Sequence, residues 1–162
     1  AVRFMMLMRK ADAPLDFDFS KVLEQSKDNP VFYVQYAHAR ICSVLRKGRD
    51  ELGNPLLDED LLQVTTLPTD DASMELVRKI AEYPRMIEQA ARGCEPHRVA
   101  YYAHELAALF HAYWNRGRDE GTRFVDPDAP EASLGRLVLA RMTGLALARS
   151  LGVLGVVPVE EL

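Results

Sequence analysis

Cysteine is scarce in this chain: Cys42 and Cys94 are the two among 162 residues. Two thiols supply neither the ligands of a structural zinc site nor a disulfide framework, so both are read as reduced thiols within helical patterns. Positive charge is not in surplus either. A net charge of −4 argues against a general nucleic-acid-binding protein, which is usually basic, while leaving room for a local basic face. Long apolar runs are missing too. No stretch approaches the roughly 18 residues that a membrane span needs and no secretory signal is visible, so the expected setting is cytoplasmic, with no membrane partner.

Catalytic fingerprints are also lacking. There is no G-x-S-x-G, no P-loop and no dinucleotide-type glycine motif. His97, His104 and His111 recur every seven residues on one helical pattern, but each step of seven rises about 10 Å, too far for shared metal coordination. They are expected to be interhelical hydrogen-bond donors or surface groups. No catalytic residue, cofactor or metal site is expected in this segment.

What is present is helix. At 48% hydrophobic and 27% charged, the chain has the composition of one ordinary globular domain, long enough to bury about 70% of its unfolded surface. The organising stretch is NPVFYVQYAHARICSVLR, Asn29 to Arg46. Asn29 can cap an orphan amide and Pro30 fits the first helical position, so a helix should begin here. At about 100° per residue, Val34, Ala37, Ile41, Val44 and Leu45 form a core stripe. Tyr33, Tyr36 and Arg40 share a neighbouring row, continued by Ser43 and Lys47. Two rings and a guanidinium in one row make either a nucleobase platform or packing against another element; geometry alone leaves both open.

Elsewhere the pattern predicts a turn over residues 48–55, a short helix over 56–64, and helices over about 72–82 (stripe Met74, Val77, Ile80, Ala81) and from Tyr83-Pro84 to a stop at Gly93. The longest helix should run from Glu95-Pro96 to Asn115 or Arg116, ended by Gly117. The last should run from Glu131 or Ser133 to Leu151 with Leu134, Leu137, Val138, Met142, Leu145 and Ala148 inward, before a final turn at Val159 to Leu162. The fold class is therefore all-α, a helical bundle. Residues 1–28, which begin inside an apolar run at Val2 to Met8, read as a connector belonging to a longer protein, and 29–162 as the helical domain.

The central stretch closely resembles the start of the C-terminal helical domain of bacterial class I arginyl-tRNA synthetases, whose signature is N-P-x-x-Y-x-Q-Y-A-H-x-R. Glu95-Pro96-His97-Arg98 with Tyr102, Arg136-Leu137-Val138-Leu139 and the ending GVLGVVPVEEL resemble further segments of that family in order, and Val2 to Asp18 resembles the end of its catalytic core. The resemblance implies an anticodon-binding (DALR) bundle of an arginine–tRNA ligase, a cytoplasmic, monomeric parent enzyme that uses ATP with magnesium. The parent's nucleotide-binding motifs would lie before Ala1, in a catalytic domain on which this bundle docks. It also implies that Tyr33, Tyr36 and Arg40 contact bases of the arginine tRNA anticodon loop, with Leu162, where many members carry methionine, closing the same pocket. Lys47 and Arg46, with Arg116 or Arg118, would meet phosphates. The competing expectation is a domain that mainly packs on the catalytic core, motivated by the apolar start at Phe4 to Met8.

Overall fold

The computed structural model describes residues 1–10, 13–14, 18–26, 28–53 and 67–162. Its helices are α1 (Val2–Leu7), α2 (Phe19–Leu23), α3 (Pro30–Leu52), α4 (Asp71–Ala81), α5 (Tyr83–Gly93), α6 (His97–Asp119) and α7 (Pro130–Val153), and no strand is present among the described residues. The short helix expected over 56–64 lies outside them.

The start of α3 is set by Asn29, whose Oδ1 accepts from the amides of Val31 (3.2 Å) and Phe32 (3.4 Å). Its Nδ2 donates to the carbonyls of Val22 (3.1 Å) and Glu24 (2.7 Å), so one buried amide caps α3 and ties α2 to it. The helix then runs into the expected turn as far as Leu52 and closes on Gly53 in the left-handed region (φ 63°). Gly48 does not break it, because packing outweighs a propensity cost of about 1 kcal/mol. A Cβ at Gly48 would stand 2.6 Å from Leu137 Cδ1, and one at Gly144 would stand 2.9 Å from Ile41 Cγ2. These two glycines let α3 and α7 approach closely.

The α3 stripe is in the core: Val34, Ala37, Ile41 and Val44 are buried, with Leu45 half-buried beside them. On α4, Val77 and Ile80 of the expected stripe pack half-buried against the core, but the fully buried residues are Ser73 and Leu76 and Ala81 is exposed, so the inward face is shifted from the one expected. Cys94 (φ 52°), not Gly93, takes the left-handed position after α5. Helix α6 continues through Gly117 to Asp119.

The largest departure is α7. It packs on α3, α4 and α6, and it buries Leu139, Ala140, Thr143, Ala146, Leu147, Ser150 and Leu151 as well as Leu137 and Val138. Met142 is left 41% exposed. A helix enclosed on several sides has no single stripe to read. Its hydroxyls are carried inward by bonding back along the helix, Thr143 to the Leu139 carbonyl and Ser150 to the Ala146 carbonyl, each at 2.8 Å. At the other end of the chain, Phe4 of α1 is fully buried in the same core, with Leu7 and Met8 against it, while Val2 and Met6 remain exposed.

Candidate nucleic-acid interface

After α7 the chain turns at Gly155 (φ 66°) and residues 156–162 run back over α3 without forming the expected helical turn. The hydrogen bonds explain why. Gln35 Nε2 donates to the Val157 carbonyl at 2.8 Å and its Oε1 accepts from the Val159 amide at 2.9 Å, while His38 Nδ1 donates to the Val159 carbonyl at 2.8 Å. Backbone groups that a helical turn would pair internally are paired with α3 side chains instead.

This strap forms one wall of a cleft of about 610 Å³. Tyr36, Arg40, Ser43 and Lys47 line it from α3, Trp114 from α6, and Glu160, Glu161 and Leu162 from the strap. Tyr36, Arg40, Arg46, Lys47 and Leu162, all singled out in the sequence, therefore meet in one place. Tyr36 and Leu162 are 39% and 64% exposed, so their apolar surface faces the cleft and solvent.

Tyr33 is not among the cleft residues. Its ring lies 4.5 Å from that of His111 and 5.4 Å from that of His104, between α3 and α6. It supports the site from beneath: the Tyr33 carbonyl accepts from His111 Nε2 at 3.3 Å.

Arg40 is the most constrained group. Its Nη1 donates to His111 Nδ1 at 3.1 Å and its Nη2 to the Tyr36 hydroxyl at 2.6 Å. The guanidinium carbon lies 4.4 Å from the Tyr36 ring centre and 5.2 Å from that of Trp114. The two rings are themselves held, Tyr36 against His111 at 5.5 Å and Trp114 stacked on Phe124 at 5.2 Å. All these contacts are to neutral groups. A cation placed between aromatic faces keeps its full charge and has a planar face for stacking. Burial, and then the nearby Arg40 charge, hold the His111 pKa below the usual 6.5, so the imidazole is neutral at physiological pH.

The remaining cations differ in their partners. Lys47 pairs with Glu51 at 3.6 Å, and Arg46 pairs with Glu161 at 3.5 Å, both at exposed positions. Exposed pairs of this kind contribute about 0 to 1 kcal/mol and exchange readily for a phosphate. Arg116 and Arg118 are not brought to the cleft; Arg116 pairs with Glu120 at 2.9 Å and lines a different pocket, and Arg118 pairs with Asp119 at 3.4 Å. Trp114 and His111 were not legible as site residues. The one signal for the former was its being the chain's single tryptophan. Cys42, behind the strap, has its thiol pKa raised by burial and by Glu160, which keeps it protonated and unreactive.

Residues 34–162 match the family described as the DALR anticodon binding domain. The arginine–tRNA ligase of Parvibaculum lavamentivorans is 55% identical over 163 residues, covering 99% of this chain and 28% of that protein. The arginine–tRNA ligase of Cereibacter sphaeroides is 56% identical, with the same coverage of 99% and 28%. Among solved structures, the Thermus thermophilus arginyl-tRNA synthetase superposes with a TM-score of 0.77 at 27% identity, over 99% of this chain and 26% of that one. The chain thus spans a little over a quarter of the length of the relatives it matches.

Proposed function

The chain belongs to the DALR anticodon-binding domain family, and from that premise we propose that it holds the anticodon loop of arginine tRNA on behalf of an arginine–tRNA ligase. The observation that carries this reading is the cleft in which Tyr36, Trp114 and the uncancelled Arg40 cation converge. Unpaired loop bases are recognised by stacking on aromatic and guanidinium planes, each stack being worth about 1 to 3 kcal/mol. Leu162 closes the same cleft with an apolar contact, though without the softer reach of a methionine thioether. Lys47 and Arg46 take phosphates, exchanging Glu51 and Glu161 for the RNA backbone. Tyr33 acts one step removed, as support for His111.

On this reading the activation of arginine with ATP and magnesium, and its transfer to tRNA, are done by the catalytic part of a cytoplasmic, monomeric ligase on which this bundle rests. The residues here bind and orient the RNA. A purely docking role draws less support, because Phe4, the largest residue of the apolar start, is buried within the bundle itself.

The test is a titration of fluorescently labelled arginine tRNA into the chain across a salt series. Binding should weaken with salt at a log–log slope of about −1 to −2, as expected for two or so phosphate contacts on a single-stranded loop. Tyr36→Ala should weaken it roughly tenfold, the loss of about one stacked base, with little change in thermal midpoint. No binding even at low salt would favour docking, and unfolding of the variant would make Tyr36 a packing residue.

A further inference from the structure

His111 is 5% exposed and lies under the cleft, 71 positions from Arg40 in sequence. Its partners fix its hydrogens. The Tyr33 carbonyl can only accept, so Nε2 carries the proton; the Arg40 guanidinium can only donate, so Nδ1 offers its lone pair. One imidazole thus bridges a backbone carbonyl of α3 to the cation of the cleft. If Nδ1 takes a proton, two N–H donors on two cations face each other at 3.1 Å. Arg40 must then leave that position, and its stacking geometry against Tyr36 and Trp114 goes with it.

We propose that His111 is a positioning residue for RNA recognition, holding Arg40 in its binding geometry only while the imidazole is neutral, so that affinity for RNA falls as His111 becomes protonated. The inference rests on the RNA-binding reading above. The groups facing His111 are Arg40, Tyr33 and Tyr36 from α3; His104 on its own helix lies against Tyr33, and Glu160 and Glu161 of the strap line the cleft that Arg40 occupies. Burial and Arg40 place its titration below 6.5. The sign is opposite to the general electrostatic trend. Adding positive charge to a protein ordinarily tightens RNA binding, whereas here the added proton displaces the cation that binds.

The experiment follows the affinity for a fluorescent anticodon stem-loop of arginine tRNA between pH 7.5 and 5 at fixed ionic strength. The wild-type chain should weaken roughly tenfold on acidification, the scale of one hydrogen bond to a charged group. His111→Asn, whose amide oxygen can accept from Arg40 and does not titrate, loses the Tyr33 carbonyl bond and the ring contacts, so it should bind more weakly than wild type at pH 7.5 yet stay flat from there to pH 5. His104→Asn should retain the wild-type profile. Nitrogen-15 imidazole spectra of the wild-type chain should show His111 as the Nε2–H tautomer with a titration midpoint coinciding with that of the affinity. A His111→Asn profile that tracks wild type, or midpoints that do not coincide, overturns the proposal while leaving RNA binding intact. Absence of binding at every pH overturns the RNA-binding reading and this proposal with it.

Discussion

Two clefts of similar size sit on this bundle, and one cation in each, Arg40 and Lys79, is treated in opposite ways. The second, of about 470 Å³ between α4, α5 and α6, is lined by Lys79, Arg98, Tyr101 and Tyr102 among others, so by composition it too offers rings and positive charge. There, however, Lys79 bonds Glu82 at 3.0 Å and Glu105 at 2.6 Å, Arg98 bonds Glu95, and the Tyr102 hydroxyl donates to the Lys79 carbonyl. The Lys79 charge joins α4 to α6, and the Arg98 charge closes the turn that leads into α6. Arg40 is held just as firmly but by an imidazole, a phenol and two ring faces, none of which cancels it. A charge fixed by neutral partners remains available to a ligand, and one held at a largely buried position by two carboxylates, as Lys79 is, does not.

The sharpest way to break that contrast is to remove both cations. Arg40→Ala should weaken binding of arginine tRNA by roughly 10- to 100-fold, as for loss of a charged hydrogen-bonding group, and Lys79→Ala by less than about twofold. Equal losses in fluorescence titrations would mean that the second cleft also meets RNA. A smaller effect comes from the strap. Gln35→Ala removes the bonds to Val157 and Val159, which should free the wall carrying Leu162 and cost roughly three- to tenfold in RNA affinity, with the core intact. Unaltered affinity would take the strap out of the site.

The smallest effect is on stability. His111 has a lowered pKa in the folded chain, so just below 6.5 the unfolded state binds the proton first. Stability is therefore full above that pH and declines as pH falls toward the folded-state value, by about 1 to 3 °C in thermal midpoint near pH 5.5. His111→Asn should lose this decline, and calorimetry of the pair would detect its persistence.

How much of this was legible depended on whether the cause was local. The cap at Asn29 and the core stripe of α3 follow from spacing along a single helix and stand as read, and of the row Tyr33, Tyr36, Arg40, Ser43 and Lys47 all but Tyr33 line one cleft. Gly48 and Gly117 were read as stops because intrinsic propensity speaks first in a sequence; both lie inside helices, and at Gly48 the absent side chain is the point of contact. The partners that complete the site, His111 and Trp114, come from another helix some 70 residues on. The strap is extended because of side chains more than 120 positions away. No periodicity encodes such contacts.

The close approaches at Gly48 and Gly144 reach beyond packing. Helix α7 packs on both α3 and α6, so how closely α3 rests on it bears, together with the direct packing of α3 on α6, on how far Tyr36 on one wall stands from Trp114 on the other. A residue larger than glycine at position 144 would push against Ile41 and change the gauge of the cleft without touching anything in it. On the proposed function, the room left for a base beside Arg40 would thus depend on two missing side chains, one on α3 and one on α7, that lie outside the cleft.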